Sequence, residues 1–153
     1  MANTYTQLYI QIVFAVSGRK NLISKIHREE LEMYISGIIS KRSQKLLAIY
    51  CMPDHIHILV SIKPSISISE LVRDIKAGSS GFINDKKWTE LKFQWQEGYG
   101  AFSYSQNHVK TVINYILNQE EHHAIKSFKE EYIDFLSEYN IEHDNQYLFD
   151  WID

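Results

Sequence analysis

Residues 45–62, KLLAIYCMPDHIHILVSI, constrain the fold more than any other stretch. Two apolar runs are separated only by the turn residues Pro53 and Asp54, so they predict two strands paired as an antiparallel hairpin. Within the second run, His55 and His57 alternate with Ile56, Ile58 and Val60. Side chains at i and i+2 of a strand share a face, their bases about 7 Å apart. The two histidines therefore point one way, and Ile56, Ile58 and Val60 point the other way into a core. Histidine is costly to bury without a partner, so the face that carries both of them needs a polar or metal-binding purpose.

Around this hairpin the remaining pattern alternates between strand and helix. Residues 4–16, TYTQLYIQIVFAV, are rich in β-branched and aromatic residues and read as a strand. Residues 27–43 place Leu31, Tyr34, Ile35, Ile38 and Ile39 at helical spacing. Ser67, three residues ahead of Glu70, is a capping-box start for a helix that buries Leu71, Val72 and Ile75 and weakens at Gly78 and Gly81. Residues 92–105, KFQWQEGYGAFSYS, resemble a strand pair around Gly98 and Gly100. Helices are expected over residues 106–122, capped by Ser105, and over residues 128–139, ahead of a tail ending in YLFDWID. The order β-α-β-β-α-β-α predicts one α+β domain over residues 1–153. It is ferredoxin-like (RRM-like), an antiparallel sheet with helices on one face and an extra C-terminal helix.

Charge is divided along the chain. The net charge of −3 hides a balance of +5 over residues 1–119 and −8 over residues 120–153. A basic body is compatible with a polyanionic partner, and the acidic C-terminal segment reads as solvated surface. No apolar run approaches the roughly 20 residues of a membrane span, and MANTYTQLYI lacks the layout of a signal peptide. Cys51 is the single cysteine, so no intrachain disulfide can form, and a cytoplasmic setting is expected.

Two imidazoles on one strand face can hold a divalent ion through one nitrogen each, although H-x-H pairs also occur as ordinary hydrogen-bonded histidines. A candidate nucleophile lies in VINYILNQEEHH. At about 100° per residue, Val109, Val112, Ile113, Ile116 and Leu117 form an apolar stripe. Tyr115 falls about 120–130° from its middle, at the margin. Gln119 follows one turn later, and His122 continues the row.

MPDHIHILV, followed some sixty residues on by YILNQEEHH, resembles the single-tyrosine HUH transposases. These are the TnpA-type enzymes of IS200-like and REP-associated insertion sequences. The likeness extends over YIQIVFAVSGRKNLI, SISELVRDIKAGSSGFIN and WQEGYGAFSYS, nearly the whole chain. It implies an enzyme that cuts and rejoins single-stranded DNA at hairpin-bearing element ends through a 5′-phosphotyrosine link, without ATP. Carried over by residue, Tyr115 is the nucleophile, and His55, His57 and Gln119 are ligands of Mg²⁺ or Mn²⁺. The likeness also implies a homodimer with shared active sites, the tyrosine helix completing the partner's site.

Basic residues able to neutralise phosphates are Arg19, Lys20, Arg73, Lys76, Lys86 and Lys87, and Tyr99 and Phe102 are candidates to stack on unpaired bases. Two other readings stay open. One is a relative that binds DNA hairpins or RNA without mobility. The other is a zinc hydrolase using His55, His57 and His122 or His123, for which only Glu120 and Glu121 offer a carboxylate.

Overall fold

The computed structural model describes residues 3–142, the Arg19 side chain excepted. The acidic positions beyond Glu142 and the YLFDWID ending lie outside the described residues. The elements are β1 (Tyr9–Ala15), α1 (Lys25–Lys41), β2 (Lys45–Cys51), β3 (His55–Ser61), α2 (Ile68–Lys86), β4 (Gly100–Tyr104), α3 (Gln106–Leu117), α4 (Gln119–His123) and α5 (Phe128–Glu138). The four strands form one antiparallel sheet in the order β2-β3-β1-β4, so the expected α+β ferredoxin-like layout is observed. No helix among the described residues is long and apolar enough to cross a membrane.

Strand alternation builds the two faces. Ile10, Ile12 and Phe14 of β1 and Ile56, Ile58 and Val60 of β3 are buried in a core with Leu31, Ile35 and Ile39 of α1 and Leu71, Val72 and Ile75 of α2. Capping sets both helix starts: the Ser24 hydroxyl accepts from the Ile26 amide at 3.2 Å, and the Ser67 hydroxyl accepts from the Glu70 amide at 3.1 Å. The glycines at 78 and 81 do not end α2, because α1 packs along it and Gly78 lets Ile38 approach closely.

The other face carries the extra helices. Val112 and Ile116 of α3 pack with Ala48 of β2 and Leu59 of β3. Phe102 of β4 stacks on Phe135 of α5, ring centroids 4.9 Å apart. Gly100 makes this approach possible, since a Cβ there would lie 2.8 Å from the Tyr132 hydroxyl oxygen of α5. The sheet is thus covered on both faces, α1 and α2 on one and the C-terminal helices on the other.

Three boundaries differ from the sequence reading. The first strand begins at Tyr9, where pairing with β3 and β4 begins. Only Gly100–Tyr104 of the expected strand pair is a strand, with a lone bridge between Val16 and Trp95. The helix expected over residues 106–122 breaks at Asn118, whose φ of −107° and ψ of 30° leave the helical well.

Candidate active site

The hairpin turn aims the two histidines. His55 and His57 are 1% and 0% exposed, beneath α3, α4 and α5, so burial leaves them dependent on partners. The His55 Nδ1–H donates to the Asp54 carboxylate at 2.7 Å. His55 stacks on Phe128 with ring centroids 4.0 Å apart, and its Nε2 has no hydrogen-bond partner among the described residues. Burial pushes the His55 pKa down to about 4, so the ring is neutral at neutral pH.

His57 Nδ1 is held by a different group. The Gln11 amide donates to the Tyr104 hydroxyl at 2.7 Å, which turns the Gln11 Oε1 toward His57 Nδ1 at 2.8 Å. The Nδ1 therefore carries the proton it donates, and Nε2 faces Glu131 Oε1 at 3.0 Å. Both histidines thus turn Nε2 toward one place, with the opposite nitrogen fixed by a neighbour. That is the arrangement in which protein imidazoles bind metal.

The break at Asn118 turns the chain so that Gln119 and His123 of α4 enter the same region. The Gln119 amide donates to the Tyr115 carbonyl at 3.2 Å, and Gln119 Oε1 accepts from His123 Nε2 at 3.0 Å. Arg28 fixes the outside of α4. It pairs with Glu120 at 3.0 Å, donates to the Cys51 carbonyl at 2.8 Å and donates to the Tyr50 hydroxyl at 2.6 Å.

Glu131 enters from α5 and is 3% exposed. Burial would raise its carboxyl pKa, but His57 and His123, the latter 3.3 Å away, hold it well below the usual range. Its second oxygen accepts from the Tyr115 hydroxyl. The Tyr115 ring lies 6.2 Å from that of His57 and stacks on His122 at 4.3 Å. Desolvation, then the neighbouring Glu131 charge, raises the Tyr115 pKa well above its ordinary value, so the hydroxyl stays protonated.

The structure therefore brings Tyr115, His55, His57 and Gln119 together within one chain, without help from a second subunit. It adds His123 and Glu131. Ligating atoms of His55, His57, His123 and Glu131 all lie within 4.8 Å of one another, a cluster compatible with a divalent metal. Sequence reasoning weighed His123 only for a hydrolase and missed Glu131, whose signal was a carboxylate within the apolar stripe of Phe128, Tyr132 and Phe135. A cleft of about 640 Å³ between α3 and α5 reaches Tyr115 and Glu131, and Lys126, Asp134 and Tyr139 also line it.

The expected nucleic-acid contacts divide. Phe102 is 2% exposed and stacked in the core, so it cannot receive a base. Lys76 is half-buried and donates to the Gln96 and Gly98 carbonyls at 2.8 and 2.7 Å, a clamp on the loop before β4 rather than a free cation. Lys86 pairs with Glu30 at 3.5 Å. Lys20, Arg73 and Lys87 are exposed, and Tyr99 is 37% exposed beside Arg73 in one groove. The Arg19 side chain lies outside the described residues.

Comparison with known proteins agrees with this architecture. The family described as "Transposase IS200 like" matches residues 4–119. The transposase for insertion sequence element IS200 of Salmonella typhimurium is 27% identical over 127 residues, which cover 79% of this chain and 82% of that protein. The ISDra2 transposase TnpA of Deinococcus radiodurans is 22% identical over 122 residues, covering 75% and 86%. Two solved structures share the fold. A Deinococcus radiodurans transposase superposes with a TM-score of 0.61 at 20% identity, covering 78% of this chain and 95% of that one. A REP-associated tyrosine transposase bound to a REP hairpin superposes with a TM-score of 0.59 at 15% identity, covering 80% and 73%.

Proposed function

Because the chain belongs to the IS200-like transposase family, we propose that it cuts and rejoins single-stranded DNA at the ends of a mobile element, with the Tyr115 hydroxyl as nucleophile. The Tyr115 oxygen attacks the scissile phosphorus as the bond to the 3′ oxygen breaks. The products are a 5′-phosphotyrosine link and a free 3′-OH. Attack on that link by another 3′-OH rejoins the strand and releases the tyrosine. The phosphodiester energy stays in the covalent link, so ATP is not needed.

The observation that carries this reading is the meeting of the tyrosine with the paired histidines in one chain. Tyr115 sits on a helix packed against β2 and β3, so its ring is held rather than free to swing. Glu131 accepts its hydroxyl hydrogen bond and so aims the oxygen. A position fixed in this way lowers the cost of bringing nucleophile and phosphate together. His55 and His57 would hold Mg²⁺ or Mn²⁺ through their Nε2 atoms, and the orphaned His55 Nε2 fits that role. When bound, such an ion polarises the phosphate and offsets its developing charge. The family resemblance gives Gln119 as the third ligand.

The REP-associated neighbour is bound to a hairpin, and by likeness the substrate is a hairpin at an element end. Among the described side chains, Lys20, Arg73 and Lys87 are the exposed candidates to meet its phosphates, with Tyr99 for an unpaired base. A homodimer is proposed from the family likeness, which implies shared active sites; the placement of Tyr115 beside His57 of its own chain supports instead each subunit using its own tyrosine. The decisive measurement incubates Tyr115→Phe with single-stranded element ends and looks for an SDS-resistant protein–DNA adduct. Loss of the adduct with hairpin binding retained is expected. An adduct in the Phe variant would assign the chemistry to another residue. A zinc hydrolase is the second reading, because Glu131 supplies a carboxylate beside His57 and His123. Retained zinc with no adduct in the wild-type protein would favour it.

A further inference from the structure

We infer that Glu131 of α5, rather than Gln119, is the third protein ligand of the metal held by His55 and His57. The inference rests on the metal-dependent reading above and names the ligand set of that site.

The two nitrogens of each histidine ring have different surroundings. Asp54 takes the Nδ1–H of His55, and Gln11 takes that of His57. The other nitrogen of each ring, Nε2, is left to face the interior of the site. At His57 that nitrogen lies 3.0 Å from Glu131 Oε1. A divalent ion held by this nitrogen and this oxygen would also engage the buried Nε2 of His55, which has no hydrogen-bond partner among the described residues.

His123 does not share this disposition. Its Nε2 faces two acceptors, Gln119 Oε1 at 3.0 Å and Glu131 Oε1 at 3.3 Å, so it carries a proton and donates. Gln119 is already engaged, its oxygen by His123 and its nitrogen by the Tyr115 carbonyl. Together they brace Glu131 and the tyrosine turn. The ligand set becomes two imidazoles and one carboxylate.

This set has two chemical consequences. Imidazole nitrogen suits Mn²⁺ better than Mg²⁺, which prefers oxygen and octahedral hydration. The carboxylate also cancels one of the two charges of the ion, leaving one net positive charge for the phosphate. The other Glu131 oxygen accepts from Tyr115, so one side chain ties ligand to nucleophile. Glu131 lies beyond residue 119, where the family match ends. The IS200-like pattern therefore does not by itself supply this ligand.

The test is direct Mn²⁺ binding to the full chain, read from the loss of the free-ion signal in electron paramagnetic resonance. Glu131→Gln keeps the shape and removes the charge, and it should weaken binding about 10-fold or more. Gln119→Ala should leave affinity within about threefold. His57→Ala is the control for the parent reading and should abolish binding. Unchanged affinity in Glu131→Gln with loss in His57→Ala overturns the assignment of Glu131 alone. Unchanged affinity in both removes the metal site altogether. A Gln119→Ala loss matching that of His57→Ala returns the third position to Gln119. If Glu131→Gln does not fold, Glu131→Asp keeps the charge and shortens the reach by one methylene. Its affinity should fall as well, and an unchanged value overturns the assignment in the same way.

Discussion

The two sides of β3 are equally dry and entirely different. On one side Ile56, Ile58 and Val60 meet α1 and α2. On the other, His55 and His57 meet α3, α4 and α5 through carboxylates, amides and aromatic rings. An apolar face needs only volume and area, and many sequences satisfy it. A buried polar face needs each donor and acceptor matched, because a lone pair without a partner costs about 1–3 kcal/mol. The histidine face meets that demand everywhere among the described residues except at His55 Nε2. The exception falls where the two rings converge, which is how a binding position differs from a packing position.

The largest effect should come from asking whose histidines a tyrosine serves. Tyr115→Phe and His57→Ala are each expected to be inactive. The chain holds Tyr115 near its own His57, with α4 tied down by Arg28 and Glu120. Mixed after confirmed subunit exchange, the two proteins should therefore stay inactive, since each site keeps one defect. Recovered adduct formation would require sites completed across subunits, and the histidine face would then belong to two chains.

Next in size is a cut on the opposite side. Ile58→Ala removes a fully buried side chain beneath α1 and α2 and should cost about 2–5 kcal/mol by urea unfolding. Mn²⁺ affinity of the folded fraction should not move, because the Ile58 side chain lies on the face of β3 opposite the histidines. A parallel loss of affinity would show that the faces are not separable.

The same contrast explains what could be read in advance. Alternation of period two placed His55 and His57 on one face and the isoleucines on the other, and helical angles placed Tyr115 at a margin near Gln119. These are local regularities, and they survive folding because backbone geometry enforces them. Glu131 was not legible, since 74 residues separate it from His57 and its acidic segment looked like solvated charge. Lys76 and Phe102 failed for the related reason that their partners are tertiary. Lys76 finds carbonyls 20 and 22 residues away, and Phe102 finds Phe135.

A smaller effect probes how tightly α5 must sit. Gly100→Ala would put a methyl 2.8 Å from the Tyr132 hydroxyl and 2.9 Å from the Phe102 ring. Overpacking of this kind costs about 1–3 kcal/mol. The strain falls on α5, so Mn²⁺ affinity should fall together with stability, in contrast to Ile58→Ala. Unchanged affinity would mean that Glu131 tolerates displacement of its helix.

The smallest change is at the cap of the helix that carries Glu131. Ser127 has extended backbone, φ −68° and ψ 161°, and its hydroxyl accepts from the Glu130 amide at 3.2 Å. Ser127→Ala removes that acceptor and should cost α5 about 1 kcal/mol. The informative readout is amide hydrogen exchange, residue by residue, because stability is not uniform across a fold. If α5 opens separately from the sheet, protection should fall about fivefold in residues 128–138 while the α1 and α2 core stays unchanged. If the whole fold opens together, protection should fall by the same factor everywhere. Separate opening is expected, because the helix meets the sheet mainly through the Phe102–Phe135 and His55–Phe128 ring contacts and through a carboxylate that the histidines keep in place. Saturating Mn²⁺ should then restore protection in α5 alone, since an ion that binds only the closed state stabilises that state and no other. Uniform loss of protection, unaffected by Mn²⁺, would make α5 part of the core and its carboxylate a structural anchor.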